Sequence, residues 1–341
     1  MINFRYHVVS LTAVVLALAV GLVLGSTVLN GPMLDALESR VNTMGRENSQ
    51  LREQVSSLEE DVNREQDWAT EAAPQLLSGV LTGRRVGLLV MPSGEDYVDA
   101  ITEKLELTGA TITGTVTFTD KFTHPQHRQG ELLDLAHRSL PPSVDADTLP
   151  PNSDGVETSS ALLAAVLFQD PATPSSEDDP ADGDDPADPD DPANGAPVEA
   201  ETGIAVPDED RQAVLSAYTT LEYLEHDDWA TPAEILVVVA GLPDSENDAD
   251  ERNDAIVTTV SQLGLAGPVV VAGVGLAGDG NVVAEVRTGP EAETISTVDN
   301  AATPQGQVAT GLVVARHLAG TVGHFGTGDR AESMLPGTST P

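Results

Sequence analysis

The sequence contains no cysteine, and only 3% of its 341 residues are aromatic. The first absence excludes disulfides, thiolate nucleophiles, Cys-ligated iron–sulfur clusters and Cys-based zinc sites. The second leaves little material for stacking platforms, aromatic-lined pockets or the girdles of membrane barrels. Positive charge is also scarce. Sixteen Lys+Arg stand against 55 Asp+Glu, a formal net charge of -39, and the only lysines are Lys104 and Lys121. Such a polyanion repels phosphate backbones, which excludes nucleic acid as a partner. No Ser/His/Asp spacing that would make a triad and no phosphate loop is present, so the chain reads as non-enzymatic.

One stretch lacks charge altogether. Between His7 and Asp35 there is no Asp, Glu, Lys or Arg, and residues 8–29 (VVSLTAVVLALAVGLVLGSTVL) are almost wholly apolar. Twenty-two residues at 1.5 Å each reach about 33 Å, enough for a hydrocarbon core of about 30 Å. The rival is a cleavable signal peptide, but the run exceeds a usual h-region and no A-x-A-like site follows it. Arg5 lies in the stub of residues 1–7 and the chain beyond the span is acidic, so the positive-inside bias places the N-terminus in the cytoplasm and the bulk outside. This predicts a single-pass cell-membrane protein. Ala13, Ala17, Gly21 and Gly25 recur every four positions, and Gly21–Gly25 fits the GxxxG pattern of paired membrane helices. Small residues are also simply common in such helices.

Gly31-Pro32 is expected to interrupt the helix, with Pro32 opening a new one. From there apolar positions recur at Leu34, Leu37, Val41, Met44, Asn48, Leu51, Val55, Leu58 and Val62, spaced alternately by three and four. That is a heptad seam, predicting a coiled coil over 33–67. Asn48 falls at an a position, where a buried amide favours a parallel, in-register pair. The partner is a second copy or another coiled-coil protein. The alternative is one amphipathic helix packed on its own domain.

Beyond the stalk the pattern is α/β. Strands are expected at 85–91, 111–119, 234–241, 268–273 and 294–298. Helices are expected at 95–108, 129–139, 158–169, 207–224, 250–265 and 305–318. Continuous apolar runs alternating with helical periods predict parallel strands covered on both faces. The reading is one α/β sandwich domain over 82–320, with a low-complexity, flexible tail from 326 to 341. Interrupting it, residues 177–195 repeat a hexapeptide three times (DDPADG, DDPADP, DDPANG), and no Lys or Arg occurs between Arg138 and Arg211. With so little apolar surface, residues 171–206 are expected to form a disordered acidic insert. Its Asp-x-Asp spacing does not match a calcium loop, because the Gly and terminal Glu are out of register and Pro disrupts the turn.

Gly273-x-Gly275-x-x-Gly278 follows a strand, but Asp279-Gly280-Asn281 is turn chemistry and a β-like segment is expected after it, so it reads as a glycine-rich connection and not as a dinucleotide fingerprint. Of the seven histidines only His124 and His127 are close. With Pro125 between them they are weak metal candidates against the alternative of solvated loop histidines. His324 reads as a loop residue beside Phe325. No cofactor is expected from the residues.

The opening MINFRYHVVSLTAVVLALAVGLVLGSTVL, the heptad stalk and the closing TISTVDNAATPQGQVATGLVVARHLAGTVGHFGTG resemble the actinobacterial MctB family. The acidic insert departs from it. The resemblance implies copper transport or efflux and copper homeostasis, with copper handled through a proposed outer-membrane pore. Outer-membrane placement is the corresponding alternative localisation. It also implies likeness to SteB, a membrane partner of SteA in cell separation that helps activate a peptidoglycan hydrolase, and so a SteA-like membrane protein as an alternative partner. The residues themselves offer one apolar helix and no run of alternating barrel strands.

Overall fold

A computed structural model describes residues 4–126, 130–151, 153–168, 206–227, 229, 231–243, 248–275 and 280–337. The side chains of 26–36 also lie outside that set. The chain divides into two compact units, residues 1–65 and 66–341. Helix α1 (Phe4–Leu77) is unbroken for 74 residues, which corrects the expected interruption at Gly31-Pro32. Proline removes one N–H from the helical ladder and costs about 3 kcal/mol in a helix interior, but the long helix-forming segments on either side carry the helix through it. The helix also runs ten residues past the expected end of the seam. Its last turns belong to the second unit, where Ala69, Ala73 and Leu77 are buried. Ala73 and Leu77 pack with Val308, and the small side chain of Ala73 allows that approach. The chain then turns through Gly79 and Gly83, both at positive φ.

The second unit is a three-layer α/β domain. Its sheet consists of β1 (Arg85–Val90), β2 (Thr111–Phe118), β3 (Leu224–His226), β4 (Ile235–Ala240), β5 (Val269–Gly273), β6 (Ile295–Val298) and β7 (His324–Phe325). The order is β3-β2-β1-β4-β5-β6-β7. Every pairing is parallel except that of β3 with β2. Strands β4 and β5 are buried at every position, because helices cover both faces and a polar residue there would lose water on either side.

On one face lie α2 (Glu95–Leu107) and α9 (Pro304–Leu318), whose Ile101, Leu105, Val313 and Val314 join Leu88 and Val237. The other face carries α3 (Asp120–Thr123), α4 (Glu131–Ser139), α5 (Gly155–Leu167), α6 (Asp208–Thr220), α7 (Ala249–Ala266) and α8 (Val282–Thr288). There Leu135, Leu163, Leu215 and Val260 pack with Leu89 and Val238. Helix α5 is buried on nearly its whole circumference, Thr158, Ser159 and Ser160 included, and sits between α4 and α7. Asp154 caps it, accepting from the amides of Val156 and Glu157 at 2.9 and 3.2 Å.

Several expectations change. The segment after Gly280 is a helix, α8, and not a strand: Asn281 Oδ1 accepts from the amides of Val283 and Ala284 at 3.0 and 3.3 Å and caps it. Gly273 is glycine for packing reasons, since a Cβ there would meet Val283 Cγ2 at 2.3 Å. Gly278 lies outside the described residues, as does the acidic insert apart from Val206. His324 is not a loop residue but part of edge strand β7. The first part of the tail, residues 326–333, is anchored and not frayed, and residues 338–341 lie outside the described residues. The amides of Thr327 and Gly328 donate to the buried Asp299 carboxylate at 2.8 and 2.9 Å, and Gly326 N donates to Ser333 O at 2.9 Å. Arg287 completes the clamp. It ion-pairs with Asp299 at 2.8 Å and donates to the carbonyls of Phe325 and Asp329 at 2.7 and 3.0 Å. Gly/Ser/Thr composition predicts fraying, and the buried ion pair overrides it.

Candidate functional site

Two features of the molecule are open to partners. The first is α1. Phe4–Gly25 is long and apolar enough to cross a membrane, with a mean hydropathy of 2.6. Ala13, Ala17 and Gly21 are exposed along it, and nothing lies within 4 Å of where a Cβ on Gly21 or Gly25 would be. Farther along, Leu37, Val41, Met44, Leu51, Val55, Leu58 and Val62 are between 50% and 68% exposed, and Asn48 is exposed among them. The side chain of Leu34 lies outside the described residues. Heptad spacing places these side chains on one stripe of the helix, and among the described residues that stripe is exposed.

The second feature is a cleft of about 630 Å³ at the C-terminal edge of the sheet. Between β1 and β4 the strand order reverses, so the loops that follow them diverge and leave a crevice. Glycines bring those loops into close contact behind it. A Cβ on Gly94 would meet Val239 O at 2.3 Å, and one on Gly241 would meet Ser93 O at 1.7 Å. Ser93 Oγ accepts from Gly241 N at 3.1 Å, tying the two loops together. The wall carries Glu95 from α2, Thr117 from the end of β2, Asp120 from α3, Glu225 from β3, and Arg252 from α7, with Leu242 and Ile256 as apolar surface.

Arg252 is held by carboxylates on two sides, with Nε 3.2 Å from Asp248 Oδ1 and Nη1 3.6 Å from Asp120 Oδ1. Desolvation pushes the Asp248 carboxyl up, but the Arg252 hydrogen bond and charge outweigh it, with smaller help from His124, and hold it below its ordinary value. His124 Nε2 lies 3.6 Å from Asp248 Oδ2, on the side of that carboxylate away from Arg252 Nε. That is more than a solvated loop histidine. His127, the other half of the expected pair, lies outside the described residues. Among the described residues no group of three or more His, Cys, Asp or Glu is placed to hold a metal ion.

Of two further histidines, His317 is buried and His324 half-buried. His317 Nδ1 lies 2.8 Å from Ser296 Oγ, and His324 Nδ1 lies 3.0 Å from Thr297 Oγ1. Desolvation holds both below the ordinary imidazole value. For His324 the Arg287 charge adds to that effect, partly opposed by a backbone hydrogen bond and Glu332. His317, on α9, and His324, on β7, bond to successive residues of β6, and neither lines the cleft. The residues that build the cleft carried no sequence signal of their own. They come from five elements, and the parity of β2 alone hinted that Thr117 turns away from the Phe118 core face.

Comparison with known proteins adds the wider context. The family model described as "Copper transport outer membrane protein, MctB" matches residues 1–336. Proteins named "Copper transporter MctB" align along nearly the whole chain. The one from Mycobacterium tuberculosis (strain ATCC 25618 / H37Rv) is 26% identical over 348 residues, covering 98% of this chain and 99% of the relative. The one from Mycobacterium leprae (strain TN) is 27% identical over 351 residues, with the same coverage.

Proposed function

The chain belongs to the MctB family, and from that premise we propose that it serves copper transport and copper homeostasis at the cell envelope, with copper as its cargo. The observation that carries this reading is the extent of the match, which takes in the apolar span, the seam and the domain together. In this proposal Phe4–Gly25 anchors the protein in the cell membrane, its N-terminus cytoplasmic and the α/β domain extracytoplasmic. The protein acts as a scaffold without catalytic chemistry. The seam from Leu37 to Val62, with Leu34 before it, joins two copies in parallel, and the small residues Ala13, Ala17, Gly21 and Gly25 support the same pairing in the membrane.

Without cysteine, the main side-chain groups left to meet copper are imidazole, carboxylate and thioether. His124 and His127 remain the candidates for that contact, although His124 already faces Asp248. A SteA–SteB type of scaffold role draws no support from the relatives. Deleting the coding sequence tests the proposal. The deletion strain should lose copper tolerance several-fold, and the full chain should restore it while a chain lacking residues 8–29 should not. Unchanged tolerance, beside defective septation, would overturn the copper role.

A further inference from the structure

The cleft between the loops after β1 and β4 lies where doubly wound sheets hold their ligands, and about 630 Å³ is in the range of small-molecule sites. Such crevices commonly take phosphates, which the first-turn amides of the adjoining helix receive. Here the chemistry is reversed. Helix α2 opens with Glu95 and Asp96 and has no side-chain cap. Across the cleft, β3 presents Glu225. Its register partner in the antiparallel pair is Thr117, so the two side chains share one face of the sheet. Asp120 adds a third carboxylate to the wall.

Against these three stands Arg252, the one cation on the wall among the described residues, and Asp248 and Asp120 already hold it. Lys121, the nearest lysine in sequence, is directed elsewhere: Nζ donates to Leu221 O at 2.8 Å and lies 4.4 Å from the centre of the Tyr223 ring. Glu95 and Glu225 have no ion-pair partner among the described residues. A phosphate would therefore meet uncompensated like charge, whereas an ammonium would meet carboxylates and the Thr117 hydroxyl. Leu242, Pro92, Pro243 and Ile256 supply apolar wall for a short methylene chain.

We propose that this cleft is a binding site for a small alkylammonium ligand, its cationic nitrogen held at the Glu225–Thr117 side and opposite Glu95. The contact is a charge-assisted hydrogen bond, roughly twice as strong as a neutral one. The field of a chain with 55 carboxylates concentrates cations around it without choosing among them. The rigid cleft gives the choice. The inference stands apart from the copper role, which uses none of these residues.

Calorimetric titration of the full chain in detergent with 1,5-diaminopentane, at about 150 mM salt to screen loose condensation, tests it. One saturable site per chain is expected, with no response to 1,5-pentanediol. Glu225→Gln and Glu95→Gln should each weaken binding about tenfold, the loss of one charge-assisted contact. Both side chains are exposed, so the fold should survive, and an unchanged thermal midpoint checks that. Thr117→Val, which keeps a β-branched residue in the strand, gives a second reading and should weaken binding more mildly. Deleting residues 177–195 should leave the affinity unchanged. The proposal is overturned if no saturable binding occurs, if both Gln variants bind as the parent does, if binding disappears with the acidic tract, or if pyrophosphate binds in place of the diamine. A cleft titrated by copper(II) and not by the diamine would also overturn it, while leaving the copper role intact.

Discussion

Valine and leucine dominate both units of this chain, yet they meet opposite fates. In residues 1–65 the described apolar side chains of α1, from Val8 to Val62, are exposed. In residues 66–341 the same residue types fill strands β4 and β5 and are buried at every position. Burying a leucine contributes about 1.5–3 kcal/mol, so the second unit obtains its stability from within the chain. The first has nothing of its own to bury against, and an isolated helix in water owes little to propensity alone. In the function proposed above, a membrane covers the apolar stretch at one end and a second helix covers the seam. The two units should therefore respond to different perturbations, and each prediction below tries to make them respond alike.

The largest effect is expected at the Arg287–Asp299 pair, which clamps the C-terminal segment onto β6. Both side chains are almost wholly buried. Arg287→Met would leave the Asp299 carboxylate buried without its cation, which costs about 3–5 kcal/mol. For a domain of this size that lowers the thermal midpoint by about 10 °C, while self-association of α1 should be unchanged. Loss of that association together with the domain would break the comparison. The same residues show where sequence reasoning stops. Arg287 and Asp299 stand on either side of β6, and nothing in their spacing says that they bind residues 325–329.

Next in size is the seam. Leu51→Asp places like charges into a paired stripe without partners and should abolish chain–chain association in detergent while leaving the domain's midpoint unchanged. Asn48→Leu should do the opposite, strengthening association while relaxing its register. Cysteine crosslinking reads the register cleanly in a chain that has no native cysteine. Matched Leu37→Cys and Val55→Cys crosslinks are expected for a parallel pair, and crosslinks only between positions 37 and 55 would mean an antiparallel one. A domain that melts earlier in Leu51→Asp would show the seam packing on its own chain instead.

A smaller effect is expected on lowering the pH. His317 has its affinity for protons lowered by burial, below the ordinary value of 6.5. The unfolded chain therefore binds the proton more readily, and stability is present above about pH 6.5 and lost as the pH falls below it. His324 acts in the same direction. Between pH 6.5 and 5 the thermal midpoint of the second unit should drop, and His317→Gln should flatten part of that slope by keeping a hydrogen-bonding side chain that does not titrate. A slope unchanged in His317→Gln would assign the effect to His324 or to carboxylates.

How legible each unit was in the sequence follows from the same contrast. The membrane span and the heptads are local periodicities, and they can be read one turn at a time. Strands 235–240 and 269–273 are equally local, since burial on both faces writes an unbroken apolar run. What escaped depends on distant partners. Strand β7 is two residues long and exists because β6 lies beside it. Helix α8 was hidden by Asp279-Gly280, although Asn281 was a readable cap. The cleft draws Glu95, Thr117, Glu225 and Arg252 from parts of the chain more than 150 residues apart, and no spacing rule reaches that far. Its place is a consequence of strand order, and strand order is set by the whole sheet.

The smallest effect is expected from removing residues 177–195, which lie within the second half of the chain but share the composition of neither unit. The tract EDDPADGDDPADPDDPANG has no residue larger than proline that could bury apolar surface, and its carboxylates repel one another. Deleting it shortens the connection between α5 and α6, and closure entropy changes only by about 0.6 kcal/mol for each doubling of a connection's length. The domain's midpoint should therefore stay the same or rise by a degree or two, and relief of like-charge repulsion acts in the same direction. Salt gives the complementary check. Raising ionic strength should narrow whatever difference the deletion makes, because screening removes the repulsive part and leaves the entropic part. A fall of several degrees on deletion would mean that the tract binds the domain, and the second unit would then depend, as the first does, on a surface outside its own core.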